Sequence, residues 1–106
     1  MKLDPTKMMA RVNQLQQELQ EKLEAIEESA SSGGGMVTAT CNGRGEVTRI
    51  RIDPEVVDPE EVELLEDLVR AAVAEAQNRA RQRSQEELRG MLGPLPIPDL
   101  FGGVSP

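Results

Sequence analysis

The sequence predicts an α+β fold in which an N-terminal helix, an antiparallel hairpin and a long C-terminal helix follow one another. Three observations carry this expectation. Apolar residues from Met8 to Ile26 recur at helical spacing, Val37 to Ile52 alternate about an Asn-Gly turn, and Val62 to Ala76 return to spacings of three and four behind a proline. At 106 residues the chain has the length of one domain.

The first helix is expected to open at Asp4, a natural N-cap, with Pro5 in the first turn, where its missing N–H costs nothing. Met8, Val12, Leu15, Leu19 and Ile26 follow heptad-like spacing, and Leu23 extends the stripe. Glu and Gln fill the opposite face. Such a helix is expected to rest on a sheet or on another helix. Its acidic polar face would be repelled by anionic lipid. Periodicity alone could carry the helix to Ala30, although the serines of AIEESASSGG weaken it before the glycines end it.

A hairpin follows. Val37, Ala39 and Cys41 alternate with Thr38 and Thr40, so one face is apolar and the other polar. Asn42-Gly43-Arg44-Gly45 supplies residues that tolerate positive φ, as a tight turn requires. The return strand puts Ile50 and Ile52 on one face and Arg49 and Arg51 on the other. One sheet face thus presents Thr38, Thr40, Arg49 and Arg51, either as an ordinary solvated surface or as a patch suited to phosphate. Cys41 falls on the inward face, as a core residue.

Asp53-Pro54 ends the strand, since proline removes a ladder donor. Asp58-Pro59-Glu60-Glu61 is expected to start the second helix, with Asp58 as cap, Pro59 at the first position and Glu61 closing a capping box. From Asp53 to Asp67 there are eight acidic residues and no basic one, a distribution that suits the positive end of a helix dipole better than a calcium loop. The helix is expected to run from 59 to about 89. Val62, Leu65, Val69, Ala72 and Ala76 form one stripe, and Leu64, Leu68 and Ala71 a second. Some 30 residues would reach roughly 45 Å, beyond the size of a compact domain of this length, so the far half should project or meet a second subunit. Small residues there (Ala71, Ala72, Ala74, Ala76, Ala80) would permit close approach. A homodimer is the expectation. After Arg89 the run GMLGPLPIPDLFGGVSP reads as a flexible Gly/Pro-rich tail over residues 91–106.

Composition narrows the function. Hydrophobic residues make up 38% and Phe101 is the only aromatic, so the core rests on small aliphatic side chains and is expected to gain from a partner. No apolar run approaches a membrane span, a single cysteine offers no internal disulfide, and the N-terminus lacks a signal-peptide pattern, which together predict a cytoplasmic protein. With no histidine and one cysteine, the usual nucleophile triads and zinc sites are missing. Gly33-Gly34-Gly35 lacks the Gly-Lys-Ser/Thr of a phosphate loop, and a strand, not a helix, follows Gly43-x-Gly45. Neither catalysis nor a cofactor is expected. The net charge of −7 argues against indiscriminate coating of polyanions, yet cations gather at the N-terminus, on the return strand and late in the second helix.

GGGMVTATCNGRGEVTRIRIDPEVV followed by LLEDLVRAAVAEAQNRA resembles the YbaB/EbfC family of bacterial nucleoid-associated DNA-binding proteins. The likeness spans about residues 5 to 90. It rests on the Gly-rich lead-in to the V-x-x-x-x-N-G strand, the I-D-P strand end, the LEDL…A-x-x-x-A helix, and the Lys7–Gln16 run. The resemblance implies one α-β-β-β-α domain over residues 1–90, with a three-stranded antiparallel sheet and a tweezer-like homodimer. It shortens the first helix to about residue 24 and places a strand near 25–31.

The resemblance also implies duplex DNA as partner, limited sequence specificity, a role in nucleoid organisation and gene regulation, and a link to recombination-repair or replication proteins. Family contacts lie on the terminal helices, and the matching basic positions here are Lys7, Arg11, Arg79, Arg81 and Arg83. Arg79 and Arg83 share a helix face and could reach successive phosphates, although the same arginines also suit the helix C-terminal dipole. Arg49 and Arg51 are additional DNA-facing candidates. Without stacking aromatics, duplex backbone contact fits better than single-strand binding. The competing reading is a protein-interaction adaptor in repair or replication whose DNA contact is incidental.

Overall fold

A computed structural model describes residues 4–93. The elements are α1 (Pro5–Ala25), β1 (Glu28–Ser32), β2 (Val37–Cys41), β3 (Val47–Ile52) and α2 (Val62–Leu92). The strands form one antiparallel sheet in the order β1-β2-β3. This is the α+β arrangement expected, with a helix, three strands and a long closing helix.

α1 begins as its sequence dictates: the Asp4 side chain accepts the N–H of Thr6 at 2.9 Å, and Pro5 follows. It ends at Ala25, so the resemblance located its stop better than the hydrophobic stripe did. The reason is tertiary. The Leu23 carbonyl accepts both the Ile26 N–H at 3.2 Å and the Gly43 N–H at 2.8 Å, which leaves no helical continuation. Ile26 then turns inward and is buried, and Glu28–Ser32 pairs with β2. In β1 the small residue Ala30 faces Ala39, while the flanking serines point away.

The lead-in to β2 is a 3-10 turn, Gly33–Gly35, in which all three glycines hold positive φ. At Gly33 the positive φ of +59 favours glycine, and a Cβ there would also press on the Leu68 side chain, 2.8 Å from Cδ2. The β2–β3 turn is organised by Asn42, whose Oδ1 accepts the N–H groups of Arg44 and Glu46 while its Nδ2 donates to Glu46 Oε1. Gly45 takes φ +83. A bulge at Thr40/Cys41 sets Cys41 opposite Val47.

The core is thin and built mostly of small residues. Ala72, Ala76 and Ala80 of α2, all at 0% exposure, lie against Ala30, Val37, Ala39 and Cys41. Alanines let the helix axis approach the sheet closely, and Leu65, Leu68, Val69 and Val73 flank the seam. These alanines were expected to admit a helix partner; Ala72, Ala76 and Ala80 instead admit the protein's own sheet. α2 therefore does not project alone, because its far half is held where the Ser84 hydroxyl donates to the Gly43 carbonyl at 2.6 Å.

Two further expectations are corrected. α2 starts at Val62, three residues past Pro59. Asp58 caps a preceding turn by accepting the Glu60 N–H at 2.9 Å, and Glu61 occupies the cap position without a side-chain bond. α2 also continues through Gly90 to Leu92, so Met91 and Leu92 are helical and not part of a tail. The remainder of the tail expected at 91–106 lies outside the described residues from 94 onward. Of the two supports expected for α1, a sheet or another helix, it takes the helix, and only through its C-terminal end, where Leu19 and Leu23 meet α2. It has no buried residue, and Met8, Met9, Val12 and Leu15 are at least half exposed. It extends from the body, giving a radius of gyration of 19.3 Å, against about 13 Å for a compact chain of 100 residues.

Candidate nucleic-acid interface

Every cation expected to matter lies on the surface, but the surroundings differ. Lys7 and Arg11 stand four apart on the exposed N-terminal half of α1, with no ion-pair partner among the described residues. α1 meets α2 only toward its other end, where Leu19 and Leu23 line a groove of about 480 Å3 with Leu88 and Arg81. Lys7 and Arg11 thus sit away from the α2 arginines.

The three α2 arginines do not form one uniform row. Arg79 Nε pairs with Glu75 Oε1 at 3.2 Å, and its Nη1 donates to the Ser29 carbonyl at 2.8 Å across the β1 edge. Arg83 Nε lies 3.5 Å from Glu87 Oε1. Arg81, one face away, has no such partner among the described residues and borders the groove beside Arg44, which is itself held by Glu24 and Glu46. These ion pairs are roughly half exposed, so a phosphate could compete for the guanidinium groups at small cost. Arg81 is ready for contact without any exchange.

The sheet face opposite α2 carries an arrangement that the strand pattern only half revealed. Ser29 and Thr40 are register partners joined by a 2.7 Å hydroxyl bond, as are Ser31 and Thr38. Arg49 is the β3 partner of Thr40, and Arg51 of Thr38. Both arginines are exposed and have no ion-pair partner among the described residues. Periodicity read the serines only as weakening a helix, and the resemblance placed a strand near 25–31 without assigning them a face. The small–polar alternation of Glu28–Ser32 was the available signal, and it becomes meaningful once Ala30 is paired with Ala39.

Cys41 is fully buried, and loss of solvation pushes its thiol above the usual value. Such a thiol stays protonated and unreactive. Among the described residues no group of His, Cys, Asp or Glu is placed to hold a metal ion, and no helix is long and apolar enough to cross a membrane.

Residues 1–95 match the family model described as the YbaB/EbfC DNA-binding family. A nucleoid-associated protein of Alkaliphilus metalliredigens is 43% identical over 97 residues, covering 89% of this chain and 85% of that protein. One from Pelotomaculum thermopropionicum is 42% identical over 99 residues, covering 91% and 94% respectively. The crystal structure of an uncharacterized protein from Helicobacter pylori superposes with a TM-score of 0.66 at 24% identity, over 87% of this chain and all of that one. At that identity the superposition supports the fold alone.

Proposed function

The chain belongs to the YbaB/EbfC DNA-binding family, and on that premise we propose that it binds duplex DNA as a homodimer with limited sequence specificity. Its work is nucleoid organisation and gene regulation, in the cytoplasm. The observation that carries this reading is that Lys7, Arg11 and Arg81 on the two helices are exposed and have no ion-pair partner among the described residues. Arg79 and Arg83 add a further cationic face of α2 when phosphate displaces Glu75 and Glu87. Contacts of this kind go to the backbone and read little sequence. Few phosphates engaged by an acidic protein means modest, salt-sensitive affinity.

The homodimer is supported by apolar surface that one protomer leaves open. β3 is an edge strand whose Val47, Ile50 and Ile52 share a face with the buried Val37, Ala39 and Cys41, yet α2 covers only β1 and β2. Ile50 is 44% exposed and Ile52 37%. The N-terminal half of the α1 stripe (Met8, Val12, Leu15) is likewise exposed. Pairing two protomers would bury both regions and set their basic helices as two arms about one duplex. The domain of residues 1–90 is the unit that would do so.

A second reading retains one specific support. Val57, Val62 and Leu64 are exposed within the acidic approach to α2, a mixed surface suited to a protein partner such as a recombination-repair or replication protein. Titrating a defined duplex with the full chain across salt separates the two readings. Binding at low salt that weakens about tenfold in Lys7→Ala/Arg11→Ala/Arg81→Ala, with a shallower salt slope, supports the DNA reading. No measurable duplex binding at low salt leaves the adaptor reading in place.

A further inference from the structure

We propose that the sheet face opposite α2 is a second contact surface for the phosphodiester backbone, separate from the helices. This inference rests on duplex binding being the function. Its basis is the six-residue pattern that strand register creates. Ser29, Thr40 and Arg49 form one row across the three strands, and Ser31, Thr38 and Arg51 form a second, each row ending in a guanidinium.

The chemistry of each row suits a phosphate. Within each serine–threonine pair, at 2.7 Å, one hydroxyl donates to the other. The second hydroxyl keeps its proton for an outside acceptor. Each row therefore offers one O–H donor and the forked N–H donors of one arginine. Positions two apart on a strand are about 6.6 Å apart along it, close to the rise of two nucleotides of one DNA strand at about 3.4 Å each. Neither arginine is held by a carboxylate within the patch.

The borders explain how the patch remains cationic in a protein of net charge −7. Glu27 precedes β1 at one corner, outside the paired rows. Asp53 lies at the opposite corner, beside Arg51 in a hollow of about 300 Å3, and its carboxylate is engaged with the Glu55 N–H at 2.9 Å. Arg79 reaches the Ser29 carbonyl over the β1 edge, which extends the cationic surface toward α2. The apolar side chains offered for pairing lie on the opposite face of β3, so a dimer formed through them leaves both rows exposed.

The test compares the wild-type full chain with Arg49→Ala/Arg51→Ala and with Arg49→Lys/Arg51→Lys on one defined duplex across salt. Circular dichroism and light scattering verify fold and assembly. The alanine pair is expected to bind about tenfold more weakly with the salt slope reduced by about 2, while the lysine pair keeps the wild-type slope. Wild-type binding that persists unchanged in the alanine pair overturns the sheet-face site and leaves the helix reading intact. Absence of binding by the wild type overturns both.

Discussion

The two sides of the sheet's central strand have opposite fates. Toward β1, α2 lies so close that Ala30, Ala39, Ala72, Ala76 and Ala80 are all shut away from solvent. Toward β3, larger side chains (Val47, Ile50, Ile52) remain bare although they share the same face. Size explains the inversion. A helix seated on alanines approaches the sheet closely but spans only two strands, and the bulky residues of the third are left beyond its flank. The closed half holds the fold together, and the open half is the surface proposed for pairing.

Gly43 joins these halves and gives the largest expected effect. Its N–H holds the end of α1, its carbonyl accepts from Ser84 of α2, and a Cβ there would sit 2.7 Å from the Leu23 carbonyl oxygen. Gly43→Ala should lower stability by about 1–3 kcal/mol in denaturant unfolding, as overpacking does. Unchanged stability would mean that the two halves are not coupled at this point.

Ile50→Asp probes the open half. Because Ile50 is exposed in the protomer, the fold should survive, whereas self-association should weaken by at least tenfold, or about 1.4 kcal/mol, measured by light scattering against concentration. A charge that left association untouched would remove β3 from the proposed interface.

The smallest effect is expected at Arg44, which pairs with Glu24 and Glu46 at the surface. Its side chain is 46% exposed and those of its partners 55% and 59%, so Arg44→Ala should cost about 0.5 kcal/mol or less. A larger loss would make the α1–turn contact electrostatic and not chiefly the Gly43 and Leu23 packing seen here.

Much of the fold was legible because its signals are short. Asp4-Pro5 marks a helix start, Asn42-Gly43 a turn, and Asp53-Pro54 a strand end, each through bonds reaching only a few residues. The inward position of Cys41 followed from alternation alone. The same local logic misplaced the start of α2, since Asp58-Pro59 can open either a helix or the turn observed, and nothing nearby decides between them. It also missed the continuation through Gly90, where one unfavourable residue was outweighed by the helix around it. For the candidate site, the cations themselves were legible but their availability was not.

By itself, then, the sequence determined the order of elements, the strand faces and the surface location of the arginines, because periodicity and caps act over neighbouring residues. Only the tertiary structure decided which apolar faces are covered and which cations are engaged. Arg79 meets a carbonyl 50 positions away, and Ser31 and Arg51 are brought into one row by pairing with the same strand. Such juxtapositions depend on how closely α2 can sit on the sheet, a property of the packed alanines and not of any one segment.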